Sequence, residues 1–122
     1  EALGMKEGMA DVYTCMGIVY KKQGDLNQAF EYYRKALAIN EALGKKEGMA
    51  TAYGNLGNIY LARGDLDQAV EYYQRSLTIN EALGNKEGMA NIYYNLMIVY
   101  KMRGDLDQAI EYQKKYSRCL PR

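Results

Sequence analysis

From Met49 onward the apolar and small residues fall at Met49, Ala50, Tyr53, Leu56, Gly57, Tyr60 and Leu61. Steps of three and four place these positions on one side of an amphipathic helix. The pattern stops at Arg63-Gly64, where glycine supplies a left-handed C-terminal cap. Asp65 follows as an N-cap, with Gln68 three residues on, an approximate capping box. Leu66, Ala69, Val70, Tyr73, Ser76, Leu77 and Leu83 then mark a second helix, which Gly84 closes. Read the same way, the chain predicts helices near 6–23 and 26–43 before this pair, and near 86–103 and 106–119 after it. No strand-like alternation appears, and the one proline is Pro121. Short Gly-Asp turns make consecutive helices antiparallel neighbours.

The helix pairs recur with a period of forty. EALGMKEGMA begins at Glu1, EALGKKEGMA at Glu41 and EALGNKEGMA at Glu81. The first and second forty-residue blocks agree at 23 positions and the second and third at 22, without a gap, which defines a repeat architecture. Repeat 1 covers about 5–43, repeat 2 about 45–83 and repeat 3 about 85–119. Because EALG elsewhere closes a unit, residues 1–4 read as the tail of a preceding repeat, and 120–122 as a C-terminal tail. The opening phase suggests a fragment of a longer or trimmed array. The near-identity of the units fits recent duplication or design alike.

The residues at these spacings resemble the tetratricopeptide repeat. That family carries a large aromatic, a Leu, a Gly and a Tyr on the first helix, then an Ala, an aromatic and a small residue on the second. Repeat 2 supplies Tyr53, Leu56, Gly57, Tyr60, Ala69, Tyr73 and Ser76, and repeat 1 supplies Tyr13, Met16, Gly17, Tyr20, Ala29, Tyr33 and Ala36. The period of 40, against the usual 34, is similar to that of kinesin light chain and Pins-type adaptors. The resemblance implies an all-α, right-handed superhelical solenoid of three antiparallel helix pairs. Physical reasoning agrees in part. Gly57 and Ala69 are small where two helices must approach, Tyr53, Tyr60 and Tyr73 are expected to fill space between repeats, and three units are near the minimum for a stable stack.

Repeat 3 departs from the pattern. Met97 replaces the glycine, Gln113 the second-helix aromatic and Tyr116 the small residue. Met97 is expected to push its helix away from the Ala109 helix or to protrude at the end of the stack. With no polar capping helix after it, the last helix should expose an apolar side. Met97, Tyr116 and Leu120 are therefore candidates for self-association, by end-to-end stacking or helix swapping.

Composition narrows the function. Lys plus Arg is 16 and Asp plus Glu 15, a net charge of +1, without the basic excess of a general nucleic-acid or anionic-membrane binder. With no histidine, Ser-His-Asp and Cys-His catalysis and the commonest metal ligand are excluded. Cys15 and Cys119 are too few for a thiolate zinc site and suggest no disulfide framework, so a reducing, cytoplasmic compartment is expected. No apolar run approaches a membrane span, the first residues do not read as a signal peptide, and no phosphate-binding Lys-Ser/Thr follows the spaced glycines. The expectation is a non-enzyme without cofactor or metal. Most of the 13 tyrosines recur at packing positions, which argues against base-stacking platforms.

The expected function is protein interaction, with an extended peptide held in a concave groove lined by the first helix of each pair. Positions left over after packing supply Asn55, Asn58, Asn91, Tyr94, Asn95, Ile98, Lys101, Ile18 and Leu61 as groove candidates. An Asn amide both donates and accepts, so it suits an extended backbone, and Asn inside a helix asks for a reason. In the resembled class, asparagines at the positions of Asn55 and Asn95, and less directly Asn58, hold the ligand main chain; repeat 1 has Cys15 there instead. The bland alternative is that these amides are solvated or bond a neighbouring repeat. The family's carboxylate clamp would need basic residues at positions that here are Thr14, Ile18, Asn91 and Asn95, so a chaperone C-terminal tail is not the expected ligand. Lys21, Lys22, Arg63, Lys101 and Arg103 end first helices, where they favour the helix dipole; the alternative is a basic rim for an acidic peptide.

Overall fold

The computed structural model describes residues 2–121. It contains six helices in hairpin pairs: α1 (Ala2–Lys22), α2 (Leu26–Leu43), α3 (Lys46–Ala62), α4 (Leu66–Leu83), α5 (Lys86–Arg103) and α6 (Leu106–Cys119). Each helix packs on the next in sequence, and α3 also touches α5. No strand occurs among the described residues. The expected boundaries hold within a few residues except at α1. Gly4 sits inside α1, whereas Gly44 and Gly84, closing the same EALG phrase, adopt φ of 68° and end their helices. Glu1 and Arg122 lie outside the described residues.

The turns work as the sequence predicts. Asp25, Asp65 and Asp105 each accept a hydrogen bond from the backbone N–H of Gln28, Gln68 and Gln108, at 3.1, 3.3 and 3.2 Å. Such a cap stabilises a helix by about 1 kcal/mol. At the other class of turn, Asn85 caps α5 by accepting from the Gly88 N–H at 3.0 Å, while Lys45 at the equivalent position makes no side-chain cap.

Two apolar clusters straddle the repeat junctions. Ala29, Tyr33, Leu56 and Ile59 join repeats 1 and 2. A larger cluster joins repeats 2 and 3, with Tyr73 and Leu77 against Ile92, Leu96 and Val99. The glycine of each first helix is obligatory for close approach. A Cβ at Gly57 would lie 2.7 Å from the Tyr73 ring, and one at Gly17 2.5 Å from the Tyr33 ring. Tyr73 thus fills the hollow within its own helix pair and also reaches the junction with repeat 3, and Tyr33 does the same between repeats 1 and 2. In repeat 3 the sizes are exchanged: Met97 lies half-buried against the core rather than protruding, and Gln113 is exposed.

The other tyrosines form a motif in each pair. Tyr20 stacks on Tyr32, Tyr60 on Tyr72 and Tyr100 on Tyr112, with ring centroids 5.6, 5.2 and 5.6 Å apart. A cation lies over the second ring each time, namely Lys35, Arg75 and Lys115. These rings pack as apolar bodies within a hairpin, with a modest cation–π supplement. Tyr60 also meets Phe30 of the preceding repeat edge-on at 5.7 Å, and the Tyr53 hydroxyl donates to Glu41 at 3.2 Å.

Candidate functional site

A cleft of about 460 Å³ opens between α3 and α5, with α4 behind it. Successive turns of α3 present Thr51, Gly54, Asn55 and Asn58 to it, and α5 presents Asn91, Tyr94 and Asn95. Spacings of three and four keep these residues on one side of each helix. Gly54 gives the cleft its depth: its missing side chain opens the wall over Ser76 and Ile92.

The amides differ in what they are free to do. The Tyr73 hydroxyl donates to Oδ1 of Asn58 at 2.5 Å, so that oxygen is engaged and the Asn58 NH₂ remains. Burial raises the Tyr73 hydroxyl well above the ordinary tyrosine range, which keeps it protonated and donating. Asn55, Asn91 and Asn95 have no hydrogen-bond partner among the described residues, leaving a donor and an acceptor on each. Asn55 and Asn95 are half-buried and Asn91 is exposed.

The floor of the cleft is built by residues that are not among the groove candidates. Buried Ser76 donates to the Ala50 carbonyl at 2.8 Å, buried Asn80 donates to Ser76 at 3.3 Å, and Asn85 donates to Asn80 at 3.3 Å. This chain of bonds fixes the helix ends beneath the free amides. Asn80 also fills a notch at Gly88, where a Cβ would lie 2.5 Å from its oxygen; Asn40 fills the same notch at Gly48. The signal was present as an Asn and a Gly eight residues apart in both junctions.

Four candidates fall outside the cleft. Ile18 is exposed on α1, Leu61 is half-buried against the larger core cluster, Ile98 is half-buried on α5, and Lys101 is exposed in its last turn. The basic residues at the helix ends are partly committed between repeats: Arg63 donates to Asn27 at 2.8 Å, and Arg103 pairs with Asp67. The formally charged residues lining the cleft are Glu47 and Glu87, so it is not a basic rim. Of the self-association candidates, Met97 and Tyr116 pack against the core, with the Tyr116 ring 5.4 Å from Tyr94, and Leu120 is exposed. Among the described residues, no helix is long and apolar enough to cross a membrane.

Comparison with known proteins agrees with this geometry. A family model for the tetratricopeptide repeat matches residues 8–82 and again 48–122. Among solved structures, BtubC (BKLC) from P. vanneervenii is similar, with 26% identity and a TM-score of 0.86 over 95% of this chain. The chain spans 49% of that structure. The TPR domain of Arabidopsis FLU superposes with a TM-score of 0.87 at 19% identity, over 93% of this chain and 95% of that one. A Podosopora anserina putative kinesin light chain with nearly identical TPR-like repeats superposes at 0.67 and 19% identity, over 93% of this chain and 52% of that one. These two likenesses are of fold. A search of curated proteins finds no match. With the two family matches together spanning all three helix hairpins, and the small-against-aromatic packing recurring in the first two, the chain belongs to the tetratricopeptide repeat family.

Proposed function

We propose that the chain is a protein-interaction module that holds an extended peptide segment across the cleft between α3 and α5. The observation that carries this reading is the group of asparagine amides lining one concave surface, three of them without a protein partner. Each can bond both the N–H and the C=O of a peptide backbone. Asn55 and Asn95 supply the main-chain contacts, Asn58 contributes through its NH₂, and Tyr94 offers a ring to a ligand side chain. Repeat 1, with Cys15 at the matching position, adds less. Affinity is modest, because a disordered peptide loses conformational entropy on binding. The cysteines are free thiols, in keeping with a reducing compartment such as the cytoplasm.

The test is a random-peptide display screen on the wild type and on the Asn55→Ala/Asn95→Ala variant. A motif enriched on the first and lost on the second, with thermal stability unchanged, supports the reading. Equal enrichment on both proteins refutes it.

A further inference from the structure

The cleft between α3 and α5 carries a carboxylate on each wall. Because α4 reverses the chain between them, α3 and α5 run the same way and their first turns lie at one end of the cleft. Glu47 and Glu87 stand in those turns, exposed and lining the cleft. Neither has an ion-pair partner among the described residues. Lys46 and Lys86 adjoin them in the chain but do not line the cleft. One step along a helix turns a side chain by about 100°.

The preceding junction shows what this one lacks. There the equivalent glutamate, Glu7, pairs with Lys45 at 2.8 Å. The Glu7 bond and charge raise the Lys45 pKa, with smaller contributions from Asp11 and Glu47. One repeat on, the position of Lys45 is held by Asn85. Asn85 is neutral and already engaged, accepting from the Gly88 N–H and donating to Asn80. The first junction thus closes its acid with a lysine of its own, whereas the second has two acids and no cation lining it. A first-turn glutamate also favours its helix dipole, which explains the acids but not the missing lysine.

We propose that the peptide held in this cleft carries a basic side chain, lysine or arginine, that pairs with the Glu47 and Glu87 carboxylates and supplies the missing cation. This rests on the reading of the cleft as a peptide site and names the chemistry of its ligand. Each carboxylate precedes its asparagine, Asn55 or Asn95, by two helical turns, about 12 Å. The basic residue therefore lies a few residues from the one whose backbone the amides hold. An acidic peptide would meet two like charges with no cation beside them and is disfavoured. Both glutamates are exposed, so the pairing is modest and weakens with salt.

The test is a random-peptide display screen on the wild type, followed by anisotropy titrations with the selected peptide and a copy in which its Lys or Arg is replaced by Gln. The wild type should select a motif with Lys or Arg at a fixed position. Glu47→Gln/Glu87→Gln should bind the selected peptide about three- to tenfold more weakly, with unchanged helical circular dichroism, and should no longer distinguish it from the Gln copy. Glu71→Gln/Glu111→Gln makes the same change in net charge away from the cleft and should bind as the wild type does. A motif that depends on Asn55 and Asn95 but has no basic position overturns this inference alone. So does equal affinity in the Glu47/Glu87 variant, or an equal loss in the Glu71/Glu111 variant. Absence of any motif on the wild type overturns the peptide reading along with it.

Discussion

Exchanging the packing of repeat 3 for that of its neighbours tests whether the glycine–tyrosine contact is one unit. Met97→Gly alone removes a half-buried side chain and places glycine mid-helix. Loss of half a methionine's burial costs about 1 kcal/mol, and glycine in a helix interior about 1 kcal/mol more. Gln113→Tyr alone changes an exposed residue, and its ring meets Met97 where Tyr33 and Tyr73 meet glycine. Little gain is expected, within about 0.5 kcal/mol of zero. In the double variant the new ring can enter the hollow left by Met97, as in repeats 1 and 2, and should recover at least about 1 kcal/mol beyond the sum of the single effects. Urea unfolding of the four proteins, read by circular dichroism, closes the cycle. Additivity within about 0.5 kcal/mol would refute the claim that these two positions are coupled by shape.

Glycine offers a second contrast. Gly8→Ala meets open space in a helix and should stabilise by several tenths of a kcal/mol, whereas Gly48→Ala drives a methyl into the Asn40 side chain and should destabilise by about 1–3 kcal/mol; melting-temperature shifts of opposite sign are the expected result. Asp65→Ala removes the cap of α4 and should cost about 1 kcal/mol in denaturant unfolding. Burial raises the folded-state pKa of Tyr73 above its unfolded value of 10.0, so its contribution is complete below pH 10 and is lost as the pH rises beyond it. The melting temperature should therefore fall above pH 10, and less steeply in Tyr73→Phe; equal slopes would assign the loss to other groups.

The helices, caps and period were legible because each is a local or repeated pattern: Gly-Asp at three turns, and apolar steps of three and four between them. Asn55, Asn91, Tyr94 and Asn95 were legible as cleft residues because the packing positions of their helices could be subtracted. The same subtraction also yields Ile18, Leu61, Ile98 and Lys101, which do not line this cleft, since a helix packed on two neighbours has more than one leftover side. Asn40 and Asn80 went unnoticed because a polar residue near a helix end looks solvated in sequence; only the facing glycine of the next repeat shows that it is buried. The Asn58–Tyr73 bond is likewise tertiary, joining residues on two helices.

The two core clusters share repeat 2, and this sets the order in which the molecule breathes. Repeats 1 and 3 each belong to one cluster, whereas repeat 2 supplies Leu56 and Ile59 to one and Tyr73 and Leu77 to the other. Local opening starts from an end in such a linear array. The smaller cluster lies at the N-terminal junction, so the first hairpin should peel away while α3 to α6 remain closed. Amide exchange should accordingly be graded along the chain, fastest in α1 and slowest in α3 and α4. The cleft walled by α3 and α5 would then survive fluctuations that detach the first repeat.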